Sequence, residues 1–95
     1  PTLNRVEFEA VFTNSEDALE INMFTFAPNF DGFEVNIDGT GWRDSPASFT
    51  WELNRSALNR LEMRAKNALG PEGKVSRIHV MYHYKEPFAP RPADW

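Results

Sequence analysis

The two histidines are the first residues to test for chemistry, because His79 and His83 stand four positions apart. On a helix this spacing places both imidazoles on one face, where they can bind one zinc ion. On a strand the same spacing separates the two side chains by about 13 Å, which is too far for a shared ion. The residues around them alternate between apolar and polar, so we interpret both histidines as structural or solvent-exposed.

Carboxylates suggest acid–base chemistry, because two acids about 5 to 9 Å apart in a cleft can hydrolyse a glycosidic bond. The acids that a sheet can bring to one face are Glu34, Asp38, Glu52 and Glu62. They alternate with core-type residues and are matched by Arg64 and Lys66, which predicts a solvated face of paired charges. A calcium site is a weaker alternative, because its candidate ligands follow no known calcium-loop spacing. Those ligands are Asn29, Asp31, Asp38 and Asp44.

Nucleophilic and phosphate-binding motifs are missing from the sequence. None of the five serines lies in a Gly-x-Ser-x-Gly elbow, and there is no cysteine. The glycines do not form a Gly-x-Gly-x-x-Gly or a Gly-Lys-Ser phosphate loop. We therefore expect a chain that is not an enzyme and that uses no catalytic residue, cofactor or metal.

Composition narrows the class of protein further. A chain of 95 residues has room for a single core. The net charge of −4 comes from interspersed charges, which disfavours nucleic acid as a partner. No apolar run approaches the roughly 20 residues that span a bilayer, so we expect no membrane insertion. Because the first residue is Pro1, we interpret the chain as a domain taken from a larger protein.

The elements that would position these residues are mostly strands, because apolar and polar residues alternate with a period of two. The predicted strands cover residues 6–13, 19–26, 33–38, 49–54 and 75–84. The sequence Asp38-Gly39-Thr40-Gly41 predicts a tight reversal after the third strand. The predicted core comprises Phe33, Val35, Ile37, Trp51, Leu53, Leu61, Met63 and Val80.

The stretch from Ser56 to Gly70 fits two structures. Its composition and the spacing of its leucines and alanines favour a helix at 56–69, with Ser56 as N-cap. Leu61, Met63 and Ala65 also alternate with charged residues, as they would in a strand. From the residues alone, an α+β fold containing this helix remains the alternative.

A resemblance favours the strand. Residues 59–70, with the pattern Arg-x-x-Asn-x-x-Gly at 64–70, resemble the penultimate strand of fibronectin type III and related immunoglobulin-like modules. Residues 33–39, followed by Trp42 and by 49–53, are similar to the middle strands of accessory modules in secreted bacterial transglutaminase-like and polysaccharide-processing proteins. Asn59 stands where fibronectin type III modules usually have a tyrosine. The resemblance implies an all-β, immunoglobulin or fibronectin type III-like antiparallel β-sandwich of about seven strands.

We expect the sandwich to occupy residues 1–86 and a Pro-rich C-terminal arm or linker to occupy 87–95. Phe24 and Phe26 lie on the face opposite Ile21 and Met23, so either the strand contains a bulge or an apolar patch faces outward. The candidate contact residues are Phe24, Phe26, Phe30, Trp42 and Trp95.

These features predict a noncatalytic accessory module that acts as an interdomain or protein–protein interaction and spacer domain. Its partner would be a neighbouring domain of the same chain or another protein. The alternative is a carbohydrate-binding module that uses exposed aromatics to bind polysaccharide. The resemblance also implies a bacterial protein that is secreted or part of the cell envelope.

Overall fold

The computed structural model describes residues 5–54, 57–70 and 73–82. Within these ranges the chain forms seven β-strands and no helix. They are β1 (Val6–Phe12), β2 (Ala18–Thr25), β3 (Phe30–Ile37), β4 (Trp42–Ser45), β5 (Ser48–Glu52), β6 (Ala57–Asn67) and β7 (Ser76–Tyr82). The predicted all-β fold of about seven strands is confirmed, and the alternative helix at 56–69 is wrong.

The strands form two antiparallel sheets that pack face to face as a β-sandwich. One sheet has the order β1-β2-β5 and the other has the order β4-β3-β6-β7. The chain therefore crosses between the sheets after β2, after β4 and after β5. These crossings place the sequence-adjacent strands β5 and β6 in different sheets, while β3 pairs with β6 across a long sequence separation.

The core lies between the inner faces of the two sheets. Its buried members are Val6, Leu19, Ile21, Met23, Phe33, Val35, Trp51, Leu61, Met63 and Ala65. All eight predicted core residues belong to this cluster, with Ile37, Leu53 and Val80 packed against it from its partly buried margin. The alternating pattern therefore predicted the packed faces correctly.

Strand β6 forms although its composition favours a helix. It lies between β3 and β7 in the four-stranded sheet, pairing with β7 over residues 57–63 and with β3 over residues 61–67. Its inner face buries Leu61, Met63 and Ala65 almost completely. Burial on one face and pairing on both edges outweigh helix propensity, which amounts to only tenths of a kcal/mol per residue.

Strand β4 was not predicted. It is a four-residue edge strand that, among the described strands, pairs only with β3, and Trp42 is its single large apolar residue. An exposed edge strand of this length carries no alternation of apolar and polar residues for a pattern to detect.

The hairpin between β3 and β4 confirms the predicted reversal. Asp38 and Gly39 have φ values of 54° and 74°, as in a type I′ turn. Thr40 N donates to Ile37 O at 3.1 Å to close the turn. Asp38 also joins the hairpin to β6, because its Oδ1 accepts a hydrogen bond from Arg60 N at 2.9 Å.

The sandwich is closed at one end by its first and last strands. Arg5 forms a parallel bridge with Lys74, and Ser76 Oγ donates to Val6 O at 2.8 Å. From there β1 and β7 run in the same direction toward the far end. The predicted turn at residues 70–73 is only partly described, and His83, the Pro-rich arm at 87–95 and Trp95 lie outside the described residues.

Candidate functional site

The outward position of Phe24 follows from an uninterrupted strand pairing. Strand β2 pairs with β1 in regular register from Thr25 opposite Val6 to Leu19 opposite Phe12. Strand β2 therefore contains no bulge, and Phe24 stays on the face opposite the buried Met23. The interpretation that a bulge turns Phe24 and Phe26 inward is wrong; these side chains face outward.

A bulge occurs instead in β3, where it positions Phe30. Asp31 and Gly32 together face Lys66, because Phe33 pairs with Ala65 while Phe30 pairs with Asn67. Gly32 has a φ of 115°, which a residue with a side chain rarely adopts. The extra residue returns Phe30 to the inner side of the sheet, where its ring centroid lies 4.7 Å from that of Phe33.

Four large apolar side chains are exposed at this end of the sandwich, and we name them the loop-end patch. Their exposed fractions are 50% for Phe24, 76% for Phe26, 45% for Phe30 and 79% for Leu69. Phe26 and Leu69 lie on the β2–β3 and β6–β7 loops, while Phe24 and Phe30 lie in the adjoining ends of β2 and β3. The two loops are joined by a hydrogen bond from Ala68 N to Asn29 O at 2.9 Å. Leu69 was not predicted as a contact residue, because its spacing from the other apolar residues of 56–69 also fits a helix.

Hydrogen bonds fix the backbone beneath the loop-end patch. Thr25 Oγ1 donates to Arg5 O at 2.8 Å and accepts from Ala27 N at 3.1 Å. In the other loop, Asn67 Oδ1 accepts from Leu69 N at 2.8 Å. The patch therefore lies on two loops that are bonded to each other and on the adjoining strand ends, of which β2 is bonded to Arg5 just before β1.

Trp42 lies elsewhere, on the outer face of the four-stranded sheet. The guanidinium carbon of Arg64 lies 4.0 Å from the centre of the Trp42 ring, which is a cation–π contact. Arg64 Nε also donates to Glu34 Oε1 at 2.9 Å. The structure therefore gathers Phe24, Phe26 and Phe30 at one end but separates Trp42 from them.

Opposite charges are paired across this outer face, as the alternation predicted. The pairs are Arg64–Glu34 at 2.9 Å, Lys66–Asp44 at 2.8 Å and Arg77–Glu62 at 2.7 Å. The hydrogen bond to the Asp44 carboxylate raises the pKa of Lys66 above its usual range. These acids form ion pairs with the basic side chains of the sheet, and none of the three pairs brings two carboxylates together.

The remaining acidic candidates lie on different elements. Glu52 lies in β5, in the other sheet from Glu34 and Glu62. Asp38 is bonded to Arg60 N and to Asn54 Nδ2. The proposed calcium ligands also separate, because Asn29 precedes β3 and Asp38 follows it. In residues 5–54, 57–70 and 73–82, no three His, Asp or Glu side chains are grouped to hold a metal ion.

Two concave surfaces lie toward the end opposite the loop-end patch. A polar groove of about 270 Å³ lies on the outer face of the four-stranded sheet, and His79 is among its lining residues. An apolar groove of about 460 Å³ opens between β1 and β7, where Phe12 forms part of the rim. Phe12 is 89% exposed, although the alternation in β1 placed it on the core face.

Comparisons with known proteins leave the chain unassigned. Neither protein-family models nor curated proteins gave a match to it. The part of the chain that the structure describes contains no helix long and apolar enough to cross a membrane.

Proposed function

We propose that this domain is a noncatalytic accessory module of a larger protein and that it acts by packing its loop-end patch against a neighbouring domain or another protein. The observation that carries the proposal is the exposure of four large apolar side chains at one end of the sandwich. Apolar side chains collected on a surface mark sites of association, because removing them from water lowers the free energy.

The path of the chain supports a neighbouring domain as the partner. Arg5 lies at the patch end, since its carbonyl accepts from Thr25 Oγ1 and it bridges Lys74. The described chain therefore enters β1 at the end that carries the patch. A contact between domains of one chain buries about 600 to 1,500 Å², which is a fitting size for a patch of four large side chains with its surrounding loops.

The architecture supports the same role. A sandwich of seven strands in the order β1-β2-β5 and β4-β3-β6-β7 agrees with the resemblance to immunoglobulin-like and fibronectin type III-like modules. Such a fold hosts many unrelated activities, so the surface and not the fold carries the proposal. A secreted or cell-envelope parent protein of bacterial origin is part of this proposal.

Carbohydrate binding is the alternative function that the experiment must distinguish from contact with a protein. Sugar-binding sites use open aromatic faces, and Trp42 has one face covered by Arg64. The phenylalanines of the loop-end patch are more exposed than Trp42. A large exposed apolar surface favours contact with protein over contact with a sugar.

The test compares the 95-residue chain with a polypeptide extended to include the preceding domain of its parent. We expect the extended polypeptide to show slower amide exchange at residues 24–30 and 68–70 and a higher melting temperature. Phe26→Ser should abolish both effects. The matched control is Phe12→Ser, which removes a phenylalanine at the opposite end that is 89% exposed, against 76% for Phe26.

Two results would contradict the proposal. One is unchanged protection of the patch in the extended polypeptide, and the other is an equal loss of protection in both serine variants. Binding of a neutral polysaccharide that Phe26→Ser or Trp42→Ala removes would instead favour the carbohydrate-binding module.

A further inference from the structure

One cation on the outer face of the four-stranded sheet breaks the pairing that the others share. Strands β6 and β7 place Arg60, Arg64, Lys66 and Arg77 on this face. The last three form ion pairs with Glu34, Asp44 and Glu62. Within the described residues, the guanidinium of Arg60 has no ion pair.

The local register explains why Arg60 is unpaired. Its cross-strand neighbour on β7 is His79. An ion pair with Arg60 would need an acidic residue at that position. The nearest acid of the hairpin is Asp38, whose Oδ1 accepts from the backbone N of Arg60 and whose Oδ2 accepts from Asn54 Nδ2. The Asp38 carboxylate is therefore held by the backbone and an amide, and the five N–H donors of the guanidinium remain available.

The guanidinium borders the polar groove. The groove is lined by Asn36, Gly39, Arg60, Glu62, Arg77 and His79 and has a volume of about 270 Å³. Glu62, its only acid, accepts from Arg77 Nε at 2.7 Å and from Asn36 Nδ2 at 3.2 Å. With Glu62 paired to Arg77, Arg60 is the arginine among these described lining residues that has no acid as its partner, and the nearby Asp38 carboxylate is bonded to Arg60 N and Asn54 Nδ2 instead.

The hairpin leaves space above this charge. Gly39 has no side chain, and a Cβ built there would lie 3.7 Å from Arg60 Nη2. A larger residue would extend from that point over the guanidinium and fill the groove. The groove therefore combines an unpaired planar donor with room for a small group to approach it.

We propose that this groove binds a carboxylate, with Arg60 as the main contact and Arg77 and His79 at its sides. The guanidinium presents two parallel N–H donors that match the two oxygens of a carboxylate. This site lies at the end opposite the loop-end patch, so the proposal does not depend on the role of that patch.

The test is a titration of the ¹⁵N-labelled 95-residue protein, followed by NMR at constant ionic strength. The probes are glutarate and galacturonate, with galactose as the uncharged counterpart of galacturonate. We expect both carboxylates to shift the Arg60 side-chain N–H signal and the amides of Gly39 and His79 with a saturable, millimolar affinity. Galactose should leave these signals unchanged.

Three variants define the contact. Arg60→Lys keeps the charge but loses the planar fork, and it should weaken binding at least about fivefold. Arg60→Gln should remove saturable binding altogether. Arg43→Gln is the matched control, because Arg43 is an exposed arginine of β4 that does not line the groove.

The outcomes separate the proposal from general charge screening. Equal weakening by Arg60→Gln and Arg43→Gln, or shifts that grow linearly without saturation, would overturn it. Equal binding of galactose and galacturonate would also overturn it, because the carboxylate would then play no part. Backbone spectra of each variant check that the fold is retained, and Arg60→Lys keeps the test decisive if Arg60→Gln does not fold.

Discussion

Asn54 and Asn59 are joined by two hydrogen bonds that run in opposite directions. Asn54 N donates to Asn59 Oδ1 at 2.6 Å, and Asn59 Nδ2 donates to Asn54 O at 3.1 Å. The same Nδ2 also lies 3.1 Å from Ala57 O and 3.3 Å from Val80 O. A single buried amide thus joins both ends of the β5–β6 connection to β7.

Asn59→Ala should destabilise the protein by about 2 to 4 kcal/mol, because it leaves several buried backbone groups without partners. Asn59→Asp should be at least as harmful, since it replaces an N–H₂ donor that faces three carbonyl oxygens with an acceptor. Urea unfolding measures both changes. The matched control is Asn22→Ala, which removes one exposed hydrogen bond to Ser48 and should cost less than about 1 kcal/mol. Equal costs for Asn59→Ala and Asn22→Ala would show that the buried bonds contribute little.

Trp51 is a second position where substitution should greatly lower the free energy of unfolding. It is 1% exposed, and within the described residues its indole Nε1 has no hydrogen-bond partner. Trp51→Ala should cost about 3 to 5 kcal/mol through the lost contacts and the cavity. Trp51→Phe should cost much less, because it keeps an aromatic ring and removes the unpaired N–H. If Trp51→Ala melted within a few degrees of the parent, Trp51 would not be a core residue.

The contact between Trp42 and Arg64 should be measurable as a coupling energy. A double-mutant cycle with Trp42→Ala and Arg64→Ala should give about 0.5 to 1 kcal/mol, as expected for a cation–π contact at a partly exposed site. The control cycle uses Lys66→Ala and Asp44→Ala, where the exposed ion pair should give less than about 0.5 kcal/mol. A coupling at Trp42 no larger than the control would mean that the stacking is incidental.

Lys66 gives a prediction about pH. Its pKa is raised, chiefly because the hydrogen bond to the Asp44 carboxylate favours the protonated side chain in the folded protein. The resulting stabilisation is fully present below the ordinary pKa of lysine and is lost as the pH rises through the raised pKa. NMR titration of the Lys66 side chain should show a downward shift in pKa in Asp44→Asn. If the pKa of Lys66 were the same in Asp44→Asn as in the parent protein, the cause assigned to the shift would be wrong.

Alternation was sufficient to predict the parts of the fold that are buried on one face. Phe33, Val35 and Ile37 showed the clearest period of two, and they lie in the core as expected. Strand β6 required the resemblance, because a sequence window cannot show that β3 and β7 flank it on both sides. Strand β4 was missed because an exposed edge strand does not need alternating apolar and polar residues.

The contact surface was predicted in part. Phe24, Phe26 and Phe30 were identified because they fall outside the best alternation, and the structure exposes all three. The bulge at Asp31 and Gly32 was not placed, since its effect depends on the pairing of β3 with β6. Arg60 was not identified either, because the absence of an ion pair is a property of the register with β7 and of the bonds that hold Asp38.

The parallel course of β1 and β7 has a mechanical consequence. Arg5 and Tyr82 lie at opposite ends of the sandwich, so tension applied between them acts along the strands. The hydrogen bonds between β1 and β2 and between β6 and β7 would then be loaded together in shear, and many must break at once before either edge strand can slide. Pulled from these two points, the domain should resist extension far better than if its strands were peeled apart one bond at a time.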